Sequence, residues 1–176
     1  MTGDLDNPMR TLSIDKVVVN IGVGEAGEKL IRAEKVIDLL TGRKSVRTIS
    51  RTTNRDFGIR KMMPIGCKVT LRKGEAEDFL KRAFWIKQNK IASYSFDLCG
   101  NFSFGISDFT DFQGMKYDPE VGIFGMDVCV SLKRNGYRIS RRKMRCRKLS
   151  SKQRISKDEA YDFLRREFDV EVVKLD

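Results

Sequence analysis

Apolar and polar residues alternate in several short runs of this chain and recur at helical spacing in three others, so the pattern alone lays out a mixed fold. Val17, Val19 and Ile21 fall on one face of a strand, with Lys16, Val18 and Asn20 on the other, because successive strand side chains point to opposite faces. Leu12 and Ile14 are out of phase with that set, which predicts a bulge or bend near Asp15. After a glycine-bearing turn, Leu30, Ala33, Val36, Ile37 and Leu40 predict a helix over roughly residues 28 to 41, closed by Gly42 where a C-terminal cap belongs.

Two strands are expected next, Val46 to Ser50 and Ile65 to Arg72. In the second, Cys67, Val69 and Leu71 oppose Lys68, Thr70 and Arg72. Between them lies a basic loop, Arg51 to Pro64. A second helix follows from about Glu75 to Lys87 on the stripe Ala76, Phe79, Leu80, Ala83 and Phe84. Strand-like stretches come at Ser93 to Leu98, Asn101 to Ser107 and Gly125 to Arg134, the last two separated by a loop from Asp108 to Phe124. Residues 133 to 157 show no apolar periodicity and read as extended or irregular until the box Ser156, Lys157, Asp158, Glu159 starts a helix. That helix packs through Ala160, Phe163, Leu164 and Phe168, and Val170 to Val173 is expected as a last edge strand. Helices alternating with hairpins predict an α+β two-layer sandwich, a mainly antiparallel sheet with helices packed on one face. No repeat or long linker divides it, so residues 1–176 read as a single domain with a flexible tail at 1–10, a basic hairpin loop region at 43–64 and an arginine-rich segment at 133–157.

Charge changes the picture. The chain carries a net +11, but the charge is not spread evenly. Residues 133 to 157 hold twelve Lys or Arg and no acid, and residues 43 to 61 hold seven more against Asp56 alone. The remaining 132 residues are therefore net acidic, by seven charges. Two concentrated cationic segments on an acidic body call for a dense polyanion, because neutralising several phosphates releases condensed counterions.

Other chemistries find less support. Histidine is absent, which removes the commonest general base and metal ligand. Cys67, Cys99, Cys129 and Cys146 are too far apart for a zinc or redox pair. They are expected to be reduced and, in the first three cases, buried as small hydrophobes, while Cys146 differs in being flanked by Arg145 and Arg147. No apolar run reaches the roughly 20 residues of a membrane span, and the first ten residues lack the apolar middle of a signal peptide, so a cytoplasmic location is expected. Gly22, Gly24 and Gly27 spell a dinucleotide-type glycine fingerprint between a strand and a helix. An NADP-dependent oxidoreductase is thus an alternative, with Arg51 on a 2′-phosphate, although the hairpin pattern supplies at most one of the parallel units such a fold needs. A tight strand-to-helix turn, with or without a phosphate on its amides, is the competing reading.

In the basic loop, Arg51, Arg55, Arg60 and Lys61 surround Thr48, Ser50, Thr52, Thr53 and Asn54, with Phe57 at the centre. Guanidinium and hydroxyl groups bind phosphate oxygens, and an exposed ring stacks on an unpaired base. A solvated basic face, or Phe57 folded into the core, is the alternative. For residues 133 to 157 a membrane surface is the weaker reading, since Tyr137, Ile139, Met144 and Leu149 do not form an amphipathic stripe.

Four runs, VVVNIGVGEA from Val17, RKMMPIGCKVTLR from Arg60, GNFSFGI from Gly100 and YDPEVGIFGMDV from Tyr117, together resemble the universal large-subunit ribosomal protein five family, which binds 5S rRNA. The C-terminal RISKDEAYDFL looks like the archaeal and eukaryotic form. The resemblance covers nearly all of the chain from about Asn7. It implies a non-enzymatic, cofactor-free constituent of the large ribosomal subunit that anchors 5S rRNA to the large rRNA in the central protuberance. It further implies 5S rRNA contacts at Lys16, Asn20, Arg43, Phe57, Thr70 and Arg72. The loop from Arg51 to Met62, with Arg51, Thr52, Thr53, Asn54 and Arg55, is implied to reach P-site tRNA, and other loops to meet neighbouring ribosomal proteins, including one of the small-subunit head. Arg138, Arg141, Arg142, Lys143, Arg145, Arg147 and Lys148 are the candidates for other rRNA. Two departures stand out: bacterial members carry glutamine where Arg43 stands, and they lack the arginine-rich segment in this form.

Overall fold

A computed structural model describes residues 7–173. In chain order the elements are β1 (Leu12–Gly22), α1 (Glu28–Thr41), β2 (Val46–Ile49), β3 (Pro64–Leu71), α2 (Gly74–Ile86), β4 (Lys90–Ala92), β5 (Phe102–Ile106), β6 (Met126–Arg134), α3 (Arg138–Arg141), α4 (Lys157–Phe168) and β7 (Glu171–Val173). Five strands form an antiparallel sheet in the order β2-β3-β1-β6-β5. The inward positions are apolar except for Arg134 at the end of β6: Val17, Val19 and Ile21 of β1, Cys67, Val69 and Leu71 of β3, and Val128, Val130 and Leu132 of β6 are buried. They form one core with Leu30, Ala33, Val36, Ile37 and Leu40 of α1, Ala76, Phe79, Leu80, Ala83 and Phe84 of α2, and Ala160 and Leu164 of α4. The α+β sandwich expected from the pattern is the one observed, with α1, α2 and α4 on one sheet face.

Local chemistry sets the ends of the elements. Gly42 closes α1 in the left-handed conformation, its N–H bonded to the Asp38 carbonyl. Ser156 and Glu159 cap α4 reciprocally, which satisfies two otherwise orphaned donors. Phe84 of α2 is in ring contact with Phe102 and Phe104 of β5 and with Phe168 at the end of α4, locking the helical layer onto that sheet edge.

Several expectations are corrected. Ser93 to Leu98 is not a strand: a 3-10 turn at Ser93–Ser95 follows β4, and only an isolated bridge joins Phe96 to Phe102. The last strand does not extend the main sheet, because β7 pairs in parallel with β4 in a separate two-stranded ribbon. The arginine-rich segment is not irregular throughout, since it contains α3 and a 3-10 turn at Ser151–Gln153. Cys99 and Cys129 are exposed, leaving Cys67 as the buried thiol. Cys129 occupies the outward phase between Val128 and Val130, and Cys99 sits in the turn where Gly100 takes a φ of 72°. Burial first, then the charges of Glu34 and Asp38, pushes the Cys67 thiol up to about 11.

The glycine turn has a mechanical role. The N–H groups of Val23 and Gly24 both donate to the Ile65 carbonyl at 3.0 and 2.8 Å, tying the turn to β3. β1 and β2 run the same way but are separated by antiparallel β3, so no parallel pair borders the glycine turn as a dinucleotide fold requires. Of the expected tail, Met1 to Asp6 lie outside the described residues. Asn7 to Arg10 form a turn whose Pro8 carbonyl accepts from the Asn135 side chain at 2.9 Å.

Candidate nucleic-acid interface

The core-packing helices α1, α2 and α4 leave the second face of the sheet uncovered, and only the short α3 reaches its end. In register across the strands, Val18 stands opposite Thr70 and Asn20 opposite Lys68 on one side, while Lys16 faces Ser131, Val18 faces Cys129 and Asn20 faces Asp127 on the other. Lys68, Thr70, Arg72, Asp127 and Cys129 are exposed, and Lys16, Val18 and Asn20 are half-buried. A polar, antiparallel face backed by an apolar core presents side chains whose mutual spacing the strands fix at about 4.5–5.5 Å between opposite residues. Lys16, Asn20, Thr70 and Arg72 are therefore brought together on this face, as strand alternation required.

The bulge lies where the phase slip near Asp15 placed it. The register shifts between Ile14, opposite Leu132, and Lys16, opposite Ser131. Asp15 is thereby turned away from the core and onto the polar side. There its carboxylate meets Arg141 Nη1 at 2.5 Å, Lys133 Nζ at 3.7 Å and Arg72 Nη1 at 3.8 Å, and the Arg72 guanidinium also donates to the Asp15 carbonyl at 3.3 Å. Asp15 is 6% exposed, whereas the side chains of its three partners are 41–58% exposed. Burial alone would raise the Asp15 carboxyl, but the hydrogen bond and charge of Arg141, then the charges of Lys133 and Arg72, outweigh it and hold the group below the ordinary carboxylate range.

The arginine-rich segment folds into a lobe on this end of the sheet. Arg147 N–H returns to the Ile139 carbonyl at 3.2 Å, Arg142 Nε donates to the Arg145 carbonyl at 2.8 Å, and Tyr137 Oη donates to the Gln153 carbonyl at 3.0 Å. Arg138, Arg141, Arg142, Lys143, Arg145, Arg147 and Lys148 all stay exposed. Arg134, by contrast, is buried and ion-paired with Glu159 at the start of α4. Burial would raise the Glu159 carboxyl, yet hydrogen bonds from the Ser156 backbone and Arg134 keep it lowered. The far end of the lobe is pinned by Ile155, 1% exposed, against the backbone of Gly100. A Cβ at Gly100 would stand 2.6 Å from Ile155 Cγ2.

The basic loop between β2 and β3 is a hairpin with its own ladder. Ser50 and Met63 are joined by the Ser50 N–H, Met62 N–H returns to the Ser50 carbonyl, and Asn54 and Ile59 exchange both backbone bonds at 2.8 and 2.9 Å. Lys61 N–H donates to Thr53 Oγ1 and Asp56 N–H to Asn54 Oδ1, each at 3.0 Å. Phe57 sits at the tip, 76% exposed, rather than in the core. Arg51, Thr52, Thr53 and Arg55 are exposed around it and Asn54 is half-buried.

Two of the residues assigned to 5S rRNA stand apart from the sheet-face group. Phe57 lies beyond the Pro64 end of β3, while Arg72 follows its other end, about 26 Å away at the rise of an extended strand. Arg43 is gripped by Glu75 at the start of α2, through Nε to both oxygens and through Nη2. That hydrogen bond, then the charge of Glu75, raises the guanidinium's pKa. Asp15 and Lys133 were not singled out from the sequence. The phase slip at Asp15 was the signal that could have found the first, and the outward phase of β6 the second.

Among the described residues no helix is long and apolar enough to cross a membrane, and no group of His, Cys, Asp and Glu could hold a metal ion. Comparison with known proteins agrees with the motif order. Residues 7–60 match the family model described as Ribosomal protein L5, and residues 64–157 match that of the ribosomal L5P family C-terminus. A Thermoplasma acidophilum protein named "Large ribosomal subunit protein uL5" is 55% identical over 169 residues, 96% of this chain and 99% of that protein. Proteins of the same name from Thermoplasma volcanium, 56% identical over 96% of this chain and 99% of its own length, and Methanoregula boonei, 53% identical over 93% and 99%, are similar to it. With the glycine turn spent on strand closure and both halves of the chain matched in order, the oxidoreductase alternative falls away: the chain belongs to the ribosomal protein L5 family in its archaeal form, a structural protein and not an enzyme.

Proposed function

We propose that this constituent of the large subunit of the cytoplasmic ribosome binds 5S rRNA through the open sheet face and joins it to the large rRNA through the arginine-rich lobe. One observation carries the reading: Lys16, Asn20, Lys68 and Thr70 lie in register on the sheet face opposite α1, α2 and α4, with Arg72 and the lobe at the same end. Strand-borne polar groups fix the orientation of a folded RNA, and the cationic segments supply affinity. The Arg51–Met62 hairpin, stiff in its backbone and free in its side chains, is suited to reach a second RNA, which we take to be P-site tRNA. The acidic loop after β5, where Asp108, Asp111, Asp118 and Glu120 are found, suits a basic neighbouring protein such as one of the small-subunit head. Arg43 contributes by exchanging Glu75 for phosphate.

Filter binding to 5S rRNA, with an unrelated folded RNA as competitor, tests this. With about six to ten phosphate contacts, affinity falls by on the order of 10³ to 10⁵ between 50 and 200 mM salt. Asn20→Ala weakens 5S binding while leaving the melting temperature unchanged, because Asn20 lies outside the core. Equal binding of the two RNAs, or an Asn20→Ala loss mirrored in thermal stability, would overturn the assignment.

A further inference from the structure

An acid at the centre of a polyanion-binding surface is a cost unless it organises something. Asp15 is buried behind three cations that come from three parts of the sequence: Arg72 after β3, Lys133 in β6 and Arg141 in α3. Strict alternation would have sent residue 15 into the core with Val17. The bulge instead turns it to the polar face, so a backbone irregularity has been kept where it aims one carboxylate. Without that carboxylate, three like charges within 4 Å of one point would repel, and α3 would lose its side-chain tie to β1. With it, the cluster keeps two uncompensated positive charges, and each cation shows its outer side to solvent, where a phosphate oxygen could approach.

We propose that Asp15 is a positioning residue for RNA binding: by drawing Arg72, Lys133 and Arg141 around one buried carboxylate, it docks the arginine-rich lobe beside the sheet face and makes the two one phosphate-binding surface. The proposal rests on the RNA reading above and adds to it the residue that assembles the site. It also inverts the expectation from charge alone. Removing an acid makes the protein more positive, which strengthens electrostatic attraction to any RNA, whereas a lost positioning group weakens binding to the RNA whose shape the surface fits.

The test uses the full chain as wild type, Asp15→Asn and Asp15→Glu, with 5S rRNA and an unrelated folded RNA at one salt concentration. A second readout is the rate of tryptic cleavage between Arg138 and Lys148 in the free protein. Asp15→Asn is expected to lower 5S affinity about tenfold, the scale of one misplaced charged hydrogen bond, to leave or raise affinity for the unrelated RNA, and to speed cleavage in the lobe. Asp15→Glu, which keeps the charge, restores most of both. Unchanged or tighter 5S binding by Asp15→Asn, or unchanged cleavage, overturns the proposal. If the wild type treats the two RNAs alike, the 5S reading is what fails, and the cleavage rates still decide whether Asp15 docks the lobe. Should Asp15→Asn not fold, Arg141→Gln, altered at an exposed side chain, carries the cleavage test in its place.

Discussion

The hairpin at residues 50–63 and the lobe at residues 135–154 are both rich in arginine and both exposed, yet they are built by different forces. The hairpin is held by backbone ladder bonds and by Asn and Thr side chains bonding its own amides. Among the described residues Arg51, Arg55, Arg60 and Lys61 have no side-chain partner, so every cation there is free. The lobe has backbone bonds within its own turns, but side chains tie it to the body at its edges: Arg141 on Asp15, Arg134 on Glu159, and Ile155 under Gly100. Stiffness made from the backbone leaves side chains available for a partner, whereas stiffness made from side chains consumes some of them and inherits their dependence on charge state.

The largest effect that would sharpen this contrast is at Ile155. Replacing this fully buried residue by alanine removes packing from the core and costs roughly 2–5 kcal/mol. Denaturant unfolding measures that loss, and amide exchange is expected to show it opening the lobe far more than the hairpin. A loss spread evenly over both would mean that Ile155 serves the core alone.

A smaller and more selective perturbation is acid. Asp15 and Glu159 both hold their carboxyls below the ordinary range in the folded chain. A depressed folded pKa contributes stability that is fully present above the unfolded value, near pH 4, and is lost as pH falls through the lower folded one. The lobe is therefore expected to loosen below about pH 4 as the partners Arg72, Lys133, Arg141 and Arg134 are released. Backbone relaxation by NMR at pH 6 and then at successively lower pH, down through the lowered folded values, checks it: mobility is expected to rise in residues 135–154 and not in 50–63.

The same division decided what could be read from the sequence. Strand alternation placed Lys16, Asn20, Thr70 and Arg72 on one polar face, and helical spacing found α1 and α2 through residues that are all buried and α4 through Ala160 and Leu164, buried, with Phe163 and Phe168 half-buried, because both patterns follow directly from which face meets the core. The bulge was visible as a phase slip at Ile14, but its purpose was not, since Lys133 and Arg141 lie more than a hundred residues away from Asp15. The lobe was illegible for a related reason: its helix and turns are too short to show a period, and its place on the body rests on long-range ion pairs and one buried isoleucine, which leave no periodic trace. Ser93 to Leu98 misled because Phe96 is buried as a strand residue would be, while the chain around it turns and pairs at that one bridge alone. Cys129 misled because its neighbours Val128 and Val130 point inward and it does not, and Cys99 because it lies in a turn beside Leu98, itself exposed.

The smallest effect on stability, and the sharpest on the comparison, is at the hairpin tip. Phe57 is held by no packing, its φ-positive neighbour Gly58 shapes the turn, and the ladder at Asn54 and Ile59 uses backbone atoms only. Phe57→Ala is therefore expected to change unfolding free energy by less than about 0.5 kcal/mol. If the ring stacks on an unpaired base, the same substitution removes about 1–3 kcal/mol of RNA affinity, so stability and binding separate at this position by several-fold. At Asp15 they cannot separate so far, because the group that orders the lobe also sets its cations. Titrating Phe57→Ala with 5S rRNA and with tRNA in parallel shows which RNA the hairpin serves. A loss for neither, with stability intact, would leave the tip as a solvated basic loop and confine recognition to the sheet and the lobe.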